Sequence, residues 1–133
     1  MIVVSLSSQV PLHDQIVAEL RRLLASGKLV AGDELPPVRQ LANDLGINLN
    51  TVARAYRELT DAGLLASARG RGTVVLSTTE RPSGRPAVER KRIEVSVAAA
   101  LADAKIAGMS LADTRTLIER QLAKLWNQTY INA

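Results

Sequence analysis

The sequence predicts an α+β fold, mostly α, on three observations. Three stretches of helical apolar spacing fill residues 12–62, with almost no loop between the last two. A passage with glycines, arginines and β-branched residues follows at 64–76, and a further helical pattern resumes beyond a polar, proline-bearing interval. The expected layout is a compact unit of helices and short strands over residues 1–76, a linker over 77–91 and a small helical hairpin over 92–127.

IVVSL, Ile2 to Leu6, is short and β-branched and is expected to form a strand. Pro11 precedes LHDQIVAELRRLLASG, where Leu12, Ile16, Leu20 and Leu23 recur at helical spacing and Gly27 supplies a stop. The turn-rich KLVAGDEL closes on Pro36 and Pro37, either of which suits a helix first turn because its missing N–H costs nothing there. Val38, Leu41, Ala42 and Leu45 then give a second helix its buried stripe, and Gly46 ends it. Asn48 is placed to cap a third helix, which carries Val52, Ala55, Tyr56 and Leu59 on one face and stops near Gly63.

A helix-turn-helix satisfies this tight pair, because Gly46 can turn left-handed while Ile47 packs back into the core. LLASARGRGTVVL then reads as two strands, Leu64 to Ser67 and Thr73 to Leu76, joined by an arginine and glycine turn, with Ile2 to Leu6 as a third partner. The result is a winged helix-turn-helix. Beyond STTERPSGRP, Val97, Leu101 and Ala104 mark one helix broken at Gly108. Ser110 caps the next, with Asp113 three residues on, and Leu111, Leu117, Ile118, Leu122, Leu125 and Trp126 are its apolar residues. A helical pair this short cannot bury a core of its own, so it is expected to pack on the first domain, on a second copy or on both, with dimerisation through Val97, Leu101 and the residues just named as the economical answer.

Composition narrows the chemistry. Lys and Arg number 17 against 13 Asp and Glu, a formal charge of +4, a weak tilt toward a polyanionic partner. Residues 1–76 hold eight basic and seven acidic residues, so a nucleic-acid surface there has to come from placement and not from bulk charge. Cysteine is absent, which excludes disulfides and thiolate metal sites. The opening segment has no basic n-region, and no run approaches the roughly 18 apolar residues of a membrane span, so a cytoplasmic location and no membrane partner are expected. His13 is the only histidine, without clustered carboxylates, and no phosphate loop or paired acids are present. Neither enzyme activity nor a cofactor or metal is expected.

The residues placed for recognition are polar ones on the outer faces. The first turns of the second helix in such a pair meet base edges, here Asn48, Asn50, Thr51 and Arg54. Asparagine bonds bidentately to adenine, threonine offers a hydroxyl and a methyl, and arginine forks onto guanine. Asn48 is mainly a cap, and Arg57, further along, suits a phosphate. Arg39 lies one turn into the preceding helix at the groove edge, with a salt bridge to Glu34 or Asp44 as its ordinary alternative. In the wing, Arg69, Gly70, Arg71, Gly72 and Thr73 combine a tight reversal with two arginines for the minor groove or phosphates. Arg21, Arg22 and Lys28 are first-helix surface candidates, and the run Arg90, Lys91, Arg92 reads as a solvated face at a helix start, with a contact to flanking DNA as its alternative.

Residues 11–76 resemble the DNA-binding domain of the GntR family of bacterial transcription regulators. The combination of SGKLVAGDELPPVRQLA, LG, NTVARAYRELTDAGLL and RGRGTVV carries that resemblance, and the short tail is similar to the YtrA-like subfamily. The resemblance implies operator contacts from Arg39, Asn50, Thr51 and Arg54, a wing at Arg69 to Thr73, and control of an ABC-type exporter. Leu49 stands where many YtrA-like members carry proline and other branches arginine, so it preserves the helix start and removes one base-reading side chain. The function expected is that of a sequence-specific homodimeric repressor on palindromic double-stranded DNA. An unidentified small-molecule effector has room only between tail and winged domain or across the dimer. The competing expectations are a nonspecific architectural DNA binder and a protein-interaction adaptor.

Overall fold

The computed structural model describes residues 2–76 and 86–131, with side chains to Trp126. The elements are α1 (Leu12–Ala25), α2 (Val38–Leu45), α3 (Leu49–Asp61), β1 (Leu65–Ala68), β2 (Gly72–Val75), α4 (Pro86–Ile106) and α5 (Leu111–Ile131). They divide into two units, residues 1–82 and 83–133.

In the first unit α3 packs on α1, α2 and β1, which makes it the centre of the domain. Its inward row of Val52, Ala55, Tyr56 and Leu59 meets Ile16, Leu20 and Leu23 of α1 and Leu41 and Ala42 of α2. Leu65 and Val75 close the core from the hairpin. The spacing that produces this row also leaves the opposite side of α3 outside, because side chains three and four apart share a face. Gly46 ends α2 in the left-handed region at φ 68°, and the Ile47 amide donates to the Ala42 carbonyl. Asn48 caps α3 as expected, its side chain accepting from the Asn50 amide at 2.7 Å.

Tyr56 ties the helix-turn-helix to the loop before it. Its hydroxyl donates to the Pro36 carbonyl at 2.7 Å, and burial pushes the phenol up from 10 to about 12. A raised folded-state pKa means that this contribution is complete below pH 10 and is lost as pH rises toward 12, where the unfolded chain gives up the proton first. Tyr56→Phe is therefore expected to cost about 1 kcal/mol at neutral pH and to flatten the alkaline loss of stability. Thermal melts from pH 9 to 12 measure both, and parallel curves for the two proteins would contradict the assignment.

The expected strand Ile2 to Leu6 does not form. Ile2 and Val4 pack against the core, but the backbone of this segment is held by a side chain: Gln15 accepts from the Ser5 amide at 2.8 Å and donates to the Ser5 and Val10 carbonyls at 3.0 and 2.8 Å. The place beside β2 belongs instead to residues 32–35. Gly32 and Leu35 amides donate to Val75 and Thr73, the Val75 amide donates to Asp33, and Glu34 faces Val74 in an antiparallel bridge. The hairpin itself pairs Leu65 with Val75 through Ala68 with Gly72.

In the second unit α4 begins at Pro86, inside the stretch expected to be linker, and α5 runs to Ile131. Proline suits that first helical position. Residues 77–85 of the expected linker lie outside the described residues. Ser110 caps α5, accepting from the Asp113 amide at 3.0 Å. The two helices flank an open groove of about 520 Å³ lined by Val97, Leu101, Met109, Leu117, Leu122 and Trp126, among others. No described residue of this unit is buried.

Candidate nucleic-acid interface

The outward side of α3 carries Asn50, Arg54 and Arg57 at i, i+4 and i+7, all exposed and on one face. Thr51 is half-buried beside them, and Asn48 is exposed although its side-chain oxygen is occupied by the cap. Arg39 sits in the first turn of α2, which starts after Pro37 with no side chain capping it. Neither alternative partner holds Arg39: among the described residues Asp44 has no ion pair and Glu34 is taken elsewhere. Arg39, Arg54, Arg57 and Arg69 therefore present guanidinium groups without a carboxylate partner among the described residues, which leaves them available to phosphates or base edges.

The wing turns through Gly70 and Gly72, at φ 77° and 74°. A side chain at either position would strain the backbone by roughly 1–2 kcal/mol. Arg69 points from this turn without a partner among the described residues. Arg71 differs from the free clamp expected, because its Nε donates to Glu34 Oε1 at 2.9 Å and its terminal nitrogen donates to the Gly32 carbonyl at 2.8 Å. Thr73 is half-buried in β2, where its carbonyl accepts from Leu35. Glu34 joins this region from 37 residues away in the chain, a contact of which local sequence pattern gives no hint.

The ordinary candidates are arranged as solvated groups. Arg22 pairs with Glu19, while Arg90 and Arg92 pair within α4 with Glu94 and Glu89 at 3.5 and 3.1 Å. His13 bridges α1 to α3 through Glu58 at 3.3 Å and also meets Asp14 at 3.2 Å. Among the described residues no helix is long and apolar enough to cross a membrane.

Comparison with known proteins places this architecture. The family described as "Bacterial regulatory proteins, gntR family" matches residues 12–75. The HTH-type transcriptional repressor YtrA of Bacillus subtilis (strain 168) is 40% identical over 75 residues, 56% of this chain and 58% of that protein. The match thus spans little more than half the length of that relative. The solved structure of YtrA from Sulfolobus acidocaldarius, a GntR-family transcription factor, is 37% identical with a TM-score of 0.59, covering 76% of this chain and 97% of that one. The chain belongs to the GntR family. The GntR match ends at β2, so the family description leaves α4 and α5 uncovered. A transcriptional antiterminator from Listeria monocytogenes EGD-e reaches further, with a TM-score of 0.72 at 25% identity over 91% of this chain and 89% of that one. This GntR protein is mostly helical, with one two-stranded antiparallel hairpin as its wing among the described residues.

Proposed function

We propose that this GntR-family chain is a homodimeric, sequence-specific repressor that binds a palindromic site on double-stranded DNA. The observation that carries the reading is the division of α3 into a buried apolar row and an exposed polar face of Asn50, Arg54 and Arg57. In a winged helix-turn-helix that face enters the major groove, with Arg39 and the open N-terminus of α2 at the groove edge. Asn50, Arg54 and Arg39 read bases, Thr51 assists, Asn48 holds the helix start near a phosphate, and Arg57 meets the backbone. Arg69 takes the wing to the adjacent minor groove, with Gly70, Gly72 and Thr73 setting its path.

Dimerisation follows from the second unit. Among the described residues nothing covers its apolar groove, and a second copy supplies apolar side chains of the same kind. Two reading helices then lie about 34 Å apart on successive major grooves. An effector, if the protein answers to one, acts by favouring one spacing of the two heads over another.

Selection of bound duplexes from a random library, followed by affinity against a scrambled control at fixed salt, tests the reading. A two-fold palindrome is the expected product, and a folded protein with equal affinity for scrambled DNA would mark it as an architectural binder. On the selected site, Arg39→Ala and Asn50→Ala are each expected to lose about 1–3 kcal/mol of binding with little change on scrambled DNA. Equal losses on both duplexes would remove these residues from base reading.

A further inference from the structure

The two wing arginines are not equivalent. Arg69 stands free among the described residues, while Arg71 reaches back to the Glu34 carboxylate and the Gly32 carbonyl. Both acceptors sit on the segment that runs beside β2, and Glu34 faces Val74 there. Arg71 therefore joins the tip of the hairpin to its base, and its own amide closes the turn on the Ala68 carbonyl at 2.9 Å. Side chains of the pair are 52% and 54% exposed, and an ion pair this open is worth little as a stability device. What it fixes is direction and charge.

We propose that Glu34 and Arg71 are a positioning pair that sets the wing and cancels one of its two charges, leaving Arg69 as the wing's phosphate or minor-groove contact. This inference rests on the DNA-binding reading above. Neither residue touches DNA: Arg71 acts through the path of the turn, and Glu34 acts through Arg71. The pair also limits indiscriminate affinity, because a cation already neutralised by a carboxylate releases no counterion from DNA, whereas each free cation that meets a phosphate does.

Salt dependence separates this role from a merely structural one. On the selected duplex, Arg69→Gln is expected to make the slope of log affinity against log salt shallower by about 1.8, one phosphate contact of about 0.9 from each of the two wings of the dimer. Arg71→Gln should weaken binding several-fold with the slope unchanged. Glu34→Gln, which removes the carboxylate charge opposite Arg71 without changing side-chain size, should steepen the slope by about 1.8 over the two wings and tighten binding to scrambled DNA, lowering the ratio of specific to nonspecific affinity. A slope loss in Arg71→Gln equal to that in Arg69→Gln, or an unchanged slope in Glu34→Gln, would overturn the proposal.

A second measurement needs no DNA. In the free protein the Arg71 side-chain Nε–H should exchange with water more slowly than that of Arg69, and Glu34→Ala, which removes the acceptor, should reduce the difference. Equal exchange in the wild type overturns the pair even if DNA binds well. A protected Arg71 in a protein that selects no duplex would leave the pair standing and defeat the DNA-binding reading instead.

Discussion

Leu117→Glu combined with Leu122→Glu is expected to turn the proposed dimer into a monomer and to lower affinity for the proposed palindromic site by about 100-fold or more. Both side chains line the α4–α5 groove and are 46% and 43% exposed within the single chain. The substitutions therefore cost the isolated chain little. In a dimer they place carboxylates in an apolar contact with no described cation among the groove residues, and burying an unpaired charge costs several kcal/mol. Operator affinity falls with the dimer because the second half-site is no longer held at high effective concentration, an effect of about 10²–10⁴. Sedimentation velocity at micromolar concentration measures the first consequence and duplex titration the second. A wild-type protein that sediments as a monomer would refute the dimer, and a double variant that remains dimeric would move the interface away from this groove.

The second large effect concerns the core beneath α3. Leu59→Ala is expected to lower folding stability by about 2–5 kcal/mol, since Leu59 is fully buried where α3 meets α1 and β1. Alanine keeps the helix propensity, so the loss reports the cavity and not a broken helix. Against a typical total of about 5–15 kcal/mol for a domain, this is a large share. Denaturant unfolding of the full chain should show a lower midpoint with an unchanged slope for the winged-domain transition. A loss below about 1 kcal/mol would mean that the surrounding side chains collapse into the space, contrary to the packing described.

What the sequence made legible follows the range of the interactions. The α3 row, the Asn48 cap and the Gly46 turn rest on residues within a turn or two of each other, where periodicity and capping chemistry act directly. The wing was equally readable because its turn residues and strands are contiguous. The β-branched run at Ile2 to Leu6 satisfies a strand pattern just as well, yet ladder pairing is decided between distant segments, and Gly32 to Leu35 occupies the position beside β2. Arg71 reads from sequence as a free cation for the same reason: the Glu34 carboxylate that engages it comes from another part of the chain. In the tail, the proline-bearing interval reads as linker although Pro86 opens α4, because proline both interrupts a chain and starts a helix.

The position of α3 at the centre of its domain has a consequence for how such a protein diverges. Val52, Ala55, Tyr56 and Leu59 are committed to packing, whereas Asn50, Arg54 and Arg57 face outward and support nothing beneath them. Substitutions on the outer face are thermodynamically quiet, so under the base-reading role proposed for it drift there can rewrite the preferred target while the scaffold persists. One helix thus holds an inherited grammar on one side and an editable vocabulary on the other.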